Sequence, residues 1–180
     1  TLHPYCGVGC FNDMDMLIVG MYGNGNVGLQ GCSDTQYKTH FSAWALLGSP
    51  LMMGCDLRRA SENAKKIMLN RELLAINQDR AGRQPVCVET LWPNEDVLCY
   101  SRQLENGDVA VGFFNLTEQQ MRVSVNMDAF GLPGSTGKTF EMHDVWSGEV
   151  RFPVNDNITC TLEACDCLVF RCKVVDRVKK

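Results

Sequence analysis

Two short apolar segments, each followed by a polar loop and a helix pattern, constrain the fold of this chain more than any other feature. Met16–Val19 and Leu51–Met53 are apolar at every position, which is typical of parallel strands covered on both faces. A strand, a loop and a helix, repeated once, is the pattern of parallel βα units. Two such units cannot cover a sheet alone. If they belong to a (β/α)8 barrel, only a quarter of it is present.

Capping signals place the helices that follow these segments. Ser33–Gln36 reads Ser-Asp-Thr-Gln, a capping box that predicts a helix over Thr35–Leu47. The apolar spacing on this helix places Trp44 in the core. A second helix is predicted over Ser61–Leu69, and Asn70 can cap a shorter third helix.

The pattern changes to period 2 after residues 77–82. An Asn-Gly pair at 106–107 predicts a hairpin between Asp96–Leu104 and Asp108–Asn115. Alternation at 121–126 predicts a further strand. The remaining strand-like segments are Phe140–Trp146, Val150–Pro153, Ile158–Leu162 and Cys167–Val174. The sequence therefore predicts a barrel-type unit over residues 1–82, an antiparallel Greek-key β-sandwich over 83–175, and a polar tail over 176–180.

Charge and composition exclude several classes of partner. The net charge is -4 with no basic stripe, which argues against nucleic acid. No apolar run approaches the ~18 residues that cross a bilayer, which argues against a membrane span. The chain begins at Thr1 rather than Met and enters its first apolar segment almost at once, so we expect a piece of a longer polypeptide. The ten cysteines sit singly in apolar contexts, which predicts reduced, buried thiols and a cytosolic location.

The densest group of polar residues lies in Phe11–Leu17, next to the first apolar segment. On extended backbone, Asp13 and Asp15 would point the same way, about 6.5 Å apart along the strand. They could then approach a substrate from one side only, so they are poor candidates for a complete acid and nucleophile pair. Either could hold a substrate hydroxyl. The alternative is that Asn12 and Asp13 bond to local backbone and cap a turn.

A metal site is the other chemistry that these carboxylates could support. Asp13 and Asp15 with a carbonyl oxygen could bind Ca²⁺ or Mg²⁺, but the stretch lacks the glycine and final glutamate of an EF-hand loop. The histidines and cysteines form no zinc spacing motif. We therefore predict neither a metal nor a cofactor. Asp56 and Arg58 follow the second apolar segment, where an ion pair that supports the loop is favoured over contact with a ligand.

The stretch Phe11–Leu17, with Gly7 and Gly9 before it, resembles the G-x-G-x-[WF]-N-D-P-D-M-L segment of glycoside hydrolase family 27, the melibiase-type α-galactosidases. Three more blocks follow in the family's order. They are Phe41–Ala45, Ser49–Leu51 leading to Asp56–Arg58, and Ala75–Asp79. Two positions depart from the family pattern: Met14 replaces the usual Pro, and Cys55 stands where Asn is common.

The resemblance implies a (β/α)8 barrel followed by a β-sandwich, with Phe11–Leu17 ending the seventh barrel strand and Leu51–Arg58 ending the eighth. It implies a retaining hydrolase that releases terminal α-linked galactose through a covalent glycosyl-enzyme intermediate. Asp15 and Met16 match pocket residues, supported by Asn12, Asp13, Asp56 and Arg58. The family's nucleophile and acid/base lie upstream of Thr1, so no catalytic residue carries over.

The implied partners are a galactose-containing oligosaccharide and the N-terminal remainder of the same barrel. The oligomeric state stays open, a homo-oligomer included. Two alternatives remain for the function. The same fold could serve a hydrolase for α-N-acetylgalactosamine or β-L-arabinopyranose, or the chain could be a carbohydrate-binding fragment without catalysis.

Overall fold

The structure, a computed structural model, describes residues 3–24, 30–90 and 96–177. It divides the chain into two compact units, Thr1–Gln84 and Pro85–Lys180. Residues 25–29 of the glycine-rich loop and residues 178–180 of the predicted tail lie outside the described residues.

The first unit is built from three α-helices and short irregular segments. The helices are α1 (Asp34–Leu47), α2 (Glu62–Met68) and α3 (Arg71–Asn77), and single 3₁₀ turns cover His3–Tyr5 and Leu57–Arg59. The predicted capping box is present, since the Ser33 hydroxyl accepts from Gln36 N and the Gln36 side chain reaches back to Ser33 N. Asn70 caps α3 by accepting from Leu73 N, as its position predicts.

The two apolar segments meet, but only at one point. Leu17 and Met53 form a parallel bridge, in which Leu17 N donates to Met52 O at 2.7 Å and Gly54 N donates to Leu17 O at 2.8 Å. The prediction that both segments are buried throughout is wrong. Leu17 is fully buried, whereas Met16 and Met52 are 51% and 59% exposed. A strand end with one neighbour leaves alternate side chains uncovered.

Helix α1 packs against α2 and α3 and supplies much of the first unit's core. Tyr37, Phe41 and Leu46 are buried on α1, together with Leu73 and Ile76 on α3. Trp44 is only half-buried, so its predicted place in the core is wrong. Trp44 lies at the edge of the apolar face of α1, where one side of its ring contacts the protein and the other side is exposed to solvent.

The second unit is a sandwich of two antiparallel sheets. Its strands are β1 (Val86–Thr90), β2 (Val97–Gln103), β3 (Val109–Asn115), β4 (Met121–Asn126), β5 (Lys138–Asp144), β6 (Val150–Arg151), β7 (Asn157–Leu162) and β8 (Cys167–Asp176). One sheet has the order β1-β2-β3-β8-β5-β6, and β4 pairs with β7 in the other. Strand β8 returns beside β5 after two intervening strands, as a Greek-key connection does. The predicted sandwich is therefore confirmed.

The inward side chains of both sheets form one apolar core. Val123 and Val125 on β4 alternate with exposed neighbours, and Ile158, Cys160 and Leu162 do the same on β7. They pack against residues of the larger sheet, which are Val97, Cys99, Val111, Phe113, Phe140, Met142, Phe170 and Cys172. This alternation is what the period-2 pattern predicts for a sheet with one covered face.

Three sequence expectations need correction in this unit and its flanks. Asp176 is the last residue of β8 and Arg177 donates to Lys138 O at 2.9 Å, so a tail that starts at 176 is wrong for these two residues. Strand β1 was missed; its register shifts between Cys87 and Glu89, and this irregularity weakens the pattern. All ten cysteines are unpaired, but Cys10 and Cys87 are exposed rather than buried.

Candidate functional site

The polar stretch before Leu17 forms a tight turn in which both Asp13 and Asp15 are exposed. Asp13 Oδ1 accepts from Asp15 N at 3.0 Å, and Asp15 Oδ1 accepts from Met16 N at 2.6 Å. Asp15 has a φ of 72°, in the left-handed region that few residues other than glycine adopt. The extended backbone assumed from the sequence is therefore wrong, because the chain turns at Asp15. Asp13 serves the turn, which was one of the two alternatives.

Helix α1 holds this turn through two ring side chains. Trp44 Nε1 donates to the backbone oxygen of Asp15 at 2.8 Å, and Ile18 N donates to His40 Nε2 at 3.1 Å. The two rings contact each other at a tilt of 56°, with centroids 3.9 Å apart, since residues four apart lie on one helix face. The segment from Asp15 to Ile18 is thus tied at both ends to one helix.

A buried serine fixes the start of the same turn. Met14 N donates to Ser49 Oγ at 2.9 Å, and Ser49 is 1% exposed. The backbone oxygen of Ser49 accepts from Asn77 Nδ2 at 2.9 Å, so α3 in turn positions the serine. This chain of contacts joins three of the sequence blocks on which the family resemblance rests. Those blocks are therefore neighbours in space as well as successive in sequence.

The second apolar segment ends in an exposed ion pair. Arg58 donates to Asp56 through Nε and Nη2, both at 2.9 Å, and Asp56 also accepts from Arg58 N. The hydrogen bonds from Arg58 hold the pKa of the Asp56 carboxyl below its usual value. Asp56 and Arg58 neutralise each other in this ion pair. The pair orders the 3₁₀ turn at Leu57–Arg59, which Asp56 also caps.

The electrostatics of His40 follow from its place under the turn. Burial lowers the pKa of His40 to about 4. The ring is then neutral near pH 7, and Nε2 is free of a proton and able to accept from Ile18 N. A protonated imidazole has no acceptor, so this contact requires the neutral form.

Four of the sequence-predicted site residues lie in the turn before Leu17: Asn12, Asp13, Asp15 and Met16. Asp56 and Arg58 lie just after Met53, the residue that bridges to Leu17. Asn12 is half-buried and Met16 is exposed. Sequence reasoning missed His40 and Ser49 and misjudged Trp44. The spacing of His40 and Trp44 at i and i+4 was the available signal for a shared role.

A second concavity lies in the sandwich unit and has a volume of about 930 Å³. Its lining includes the exposed ring of Phe152 beside several charged side chains. Those charges already have partners in the pairs Arg177–Asp156, His143–Glu141 and Lys138–Asp176. The turn at Asp15 is the better candidate, because the family resemblance assigns pocket residues to this turn and none to the lining of the concavity.

No group of three or more His, Cys, Asp or Glu residues in the described part of the chain could hold a metal ion. Nor does any described helix combine the length and apolar character needed to cross a membrane.

Comparison with known proteins identifies the family. The family model for alpha galactosidase A, a melibiase model, matches residues 1–79, and that for the alpha galactosidase C-terminal beta sandwich domain matches residues 94–172. An alpha-galactosidase of rice, Oryza sativa subsp. japonica, is 34% identical over 166 residues, which cover 92% of this chain. This chain belongs to glycoside hydrolase family 27.

Other family 27 relatives differ in the sugar for which they are named. An alpha-N-acetylgalactosaminidase of Gallus gallus is 32% identical over 88% of this chain.

A solved structure from Bacteroides fragilis matches 96% of this chain with a TM-score of 0.84 and 29% identity, and this chain covers 36% of that structure. The chain spans 36% of the length of the rice relative and 37% of the Gallus relative.

Proposed function

We propose that this chain forms one wall of the sugar pocket of a retaining α-galactosidase, whose remaining barrel strands and catalytic residues lie outside the chain. The observation that carries the proposal is the exposed carboxylate of Asp15, held at the end of the Leu17–Met53 strand pair. In barrel enzymes the active site lies at the carboxyl ends of the strands, and the resemblance to family 27 implies that Phe11–Leu17 lies at such an end. Asp15 Oδ1 is used by Met16 N, and no described residue donates to Oδ2.

The proposed role of Asp15 is to accept hydrogen bonds from sugar hydroxyls. A carboxylate accepts such bonds strongly because it is charged. Met16 lies beside it with 51% of its surface exposed, and its side chain would pack against the apolar face of the sugar ring. Asn12, Asp13, Asp56 and Arg58 support the two loops.

The chemistry would come from two carboxyl groups that this chain does not supply. A retaining hydrolase places them about 5–5.5 Å apart, one as nucleophile and the other as acid and then base. We assign Asp13 no catalytic role here, because it orders the turn by accepting from Asp15 N. The proposed pocket is completed by the N-terminal part of the same barrel.

The choice of sugar is tested with the full-length parent and a panel of aryl glycosides. We expect hydrolysis of the α-galactoside, with release of α-galactose as the first product seen by NMR. The Gallus relative makes α-N-acetylgalactosamine the second candidate, and β-L-arabinopyranose is the third member of the panel. A preference for either of these two glycosides would replace galactose as the proposed substrate sugar. A parent that binds sugar without hydrolysing any of the glycosides would favour a carbohydrate-binding role.

A further inference from the structure

We propose that His40 and Trp44 are positioning residues for sugar binding, which act by fixing the backbone that aims the Asp15 carboxylate. The inference rests on the proposed function, in which Asp15 contacts the sugar. Asp15 has a φ of 72°, in the left-handed region that residues with a side chain seldom adopt. Such a conformation persists only where its surroundings hold it.

The backbone N–H groups of Asp15 and Met16 are held only by side chains of the turn itself, whereas Met14 N, before them, donates to the buried Ser49. Asp13 Oδ1 accepts from Asp15 N, and Asp15 Oδ1 accepts from Met16 N. Both acceptors belong to exposed side chains that could exchange these bonds for water. The carbonyl side of Asp15 is held differently, by the indole N–H of Trp44 at 2.8 Å.

The second tether lies three residues further along. Ile18 N donates to His40 Nε2 at 3.1 Å. One helix therefore offers a donor at 44 and an acceptor at 40, and the segment between the two tethers carries Asp15 and Met16. An indole can only donate, and the neutral imidazole must accept at Nε2, so the two roles cannot be exchanged.

The contact between the rings makes the tethers one unit. Their centroids are 3.9 Å apart with a tilt of 56°. Trp44 is half-buried, so its ring is not needed to fill the core, which Tyr37 and Phe41 already do from the same helix. The feature that distinguishes tryptophan from another apolar residue here is the N–H directed at Asp15 O.

The orientation of Asp15 then depends on residues that do not touch the sugar. With Oδ1 committed to Met16 N, the direction of Oδ2 follows from the peptide plane between Asp15 and Met16. That plane carries the oxygen that Trp44 holds. Loss of the indole N–H would let the plane rotate and turn Oδ2 away from its hydroxyl partner.

The test uses the full-length parent and the inhibition constant of galactose, since a variant that only lowers the folded fraction lowers kcat and leaves this constant unchanged. We expect Trp44→Phe to raise KM and the galactose inhibition constant about tenfold, as loss of a charge-assisted hydrogen bond would. His40→Leu should raise KM and the galactose inhibition constant, whereas His40→Gln, which keeps an acceptor for Ile18 N, should leave both near their wild-type values. Ser61→Ala, which removes the cap of α2, controls for lost stability and should leave the inhibition constant unchanged.

A double variant shows whether Trp44 acts through Asp15. Trp44→Phe added to Asp15→Asn should weaken galactose binding no further. An additional tenfold loss, or unchanged binding by the single Trp44→Phe and His40→Leu variants, would overturn the proposal while leaving the function intact. If Trp44→Phe does not fold, His40→Leu against His40→Gln decides. A wild-type parent that neither hydrolyses an aryl glycoside of the panel nor binds galactose would reject the function, and this proposal with it.

Discussion

The indole nitrogen of Trp44 lies 2.8 Å from the backbone oxygen of Asp15, a residue 29 positions earlier in the chain. This contact joins the turn before the Leu17–Met53 bridge to helix α1, which follows it in the chain. The same helix also contributes buried side chains to the core of the first unit. The stability of the unit and the geometry of its candidate site therefore depend on one element.

Two aspartates in the same turn should respond differently to one substitution. Asp15→Asn removes the charge that we assign to sugar binding and should lower kcat/KM for an aryl α-galactoside by about 10- to 150-fold, the equivalent of about 1.5–3 kcal/mol. Asp13→Asn keeps an oxygen that can accept from Asp15 N and should change kcat/KM less than threefold. Steady-state kinetics of the full-length parent measures both. Equal losses would show that the turn, not the Asp15 carboxylate, is what matters.

A glycine next to the strand bridge should be intolerant of even one methyl group. A Cβ at Gly54 would lie 2.7 Å from Leu17 O, the acceptor of the bridge. Gly54→Ala should therefore destabilise the fold by about 1–3 kcal/mol, as overpacking does. Gly7→Ala is the matched control, because a Cβ there has nothing within 4 Å. Thermal unfolding compares the two, and an unchanged midpoint for Gly54→Ala would contradict the bridge.

His40 should make stability depend on pH in a defined window. Its pKa is about 4 in the folded chain and 6.5 when unperturbed. Between these values the unfolded state binds more protons, so the contribution of His40 is fully present above about pH 6.5 and is lost as the pH falls to about 4.

Denaturant unfolding at several pH values measures this contribution. His40→Gln cannot take up the proton and should flatten the slope in the window, while Asp56 and Glu62, whose carboxyl pKa values are also lowered, act equally in both proteins. Identical slopes for the two proteins would show that His40 is not buried as a neutral ring.

The cysteines of the sandwich should differ sharply in reactivity. Burial raises the pKa of Cys160 to about 12 and raises that of Cys172 as well, whereas Cys87 is exposed. Because the thiolate is the reactive form, an alkylating reagent at about pH 8 should label Cys87 and spare the other two until the protein unfolds. Mass spectrometry of the labelled peptides identifies the sites. Early labelling of Cys160 would contradict the packing of the two sheets.

Much of the fold could be predicted because its signals are local. Ser33 and Asn70 mark helix starts through bonds to residues three positions away, and Asn106-Gly107 marks a hairpin for a similar reason. Strand β1 was not predicted, because its register shift interrupts the period-2 alternation on which strand predictions depend.

The geometry of the site could be predicted less well, because it depends on contacts distant in sequence. Nothing local indicates that Asp15 adopts a left-handed φ, since the residue is not a glycine. Trp44 fits the apolar face by spacing, but spacing does not separate the centre of a face from its edge. The bond from Trp44 to Asp15 O exists only once the helix has packed beside the loop.

The most direct test compares hydrolysis of an aryl α-galactoside by the full-length parent and by the 180-residue chain alone. The parent should turn over the substrate, and the isolated chain should show no hydrolysis, because our proposal assigns it a wall of the pocket and places the nucleophile and the acid/base elsewhere in the parent. Hydrolysis by the isolated chain, or none by the parent, would contradict this division of roles.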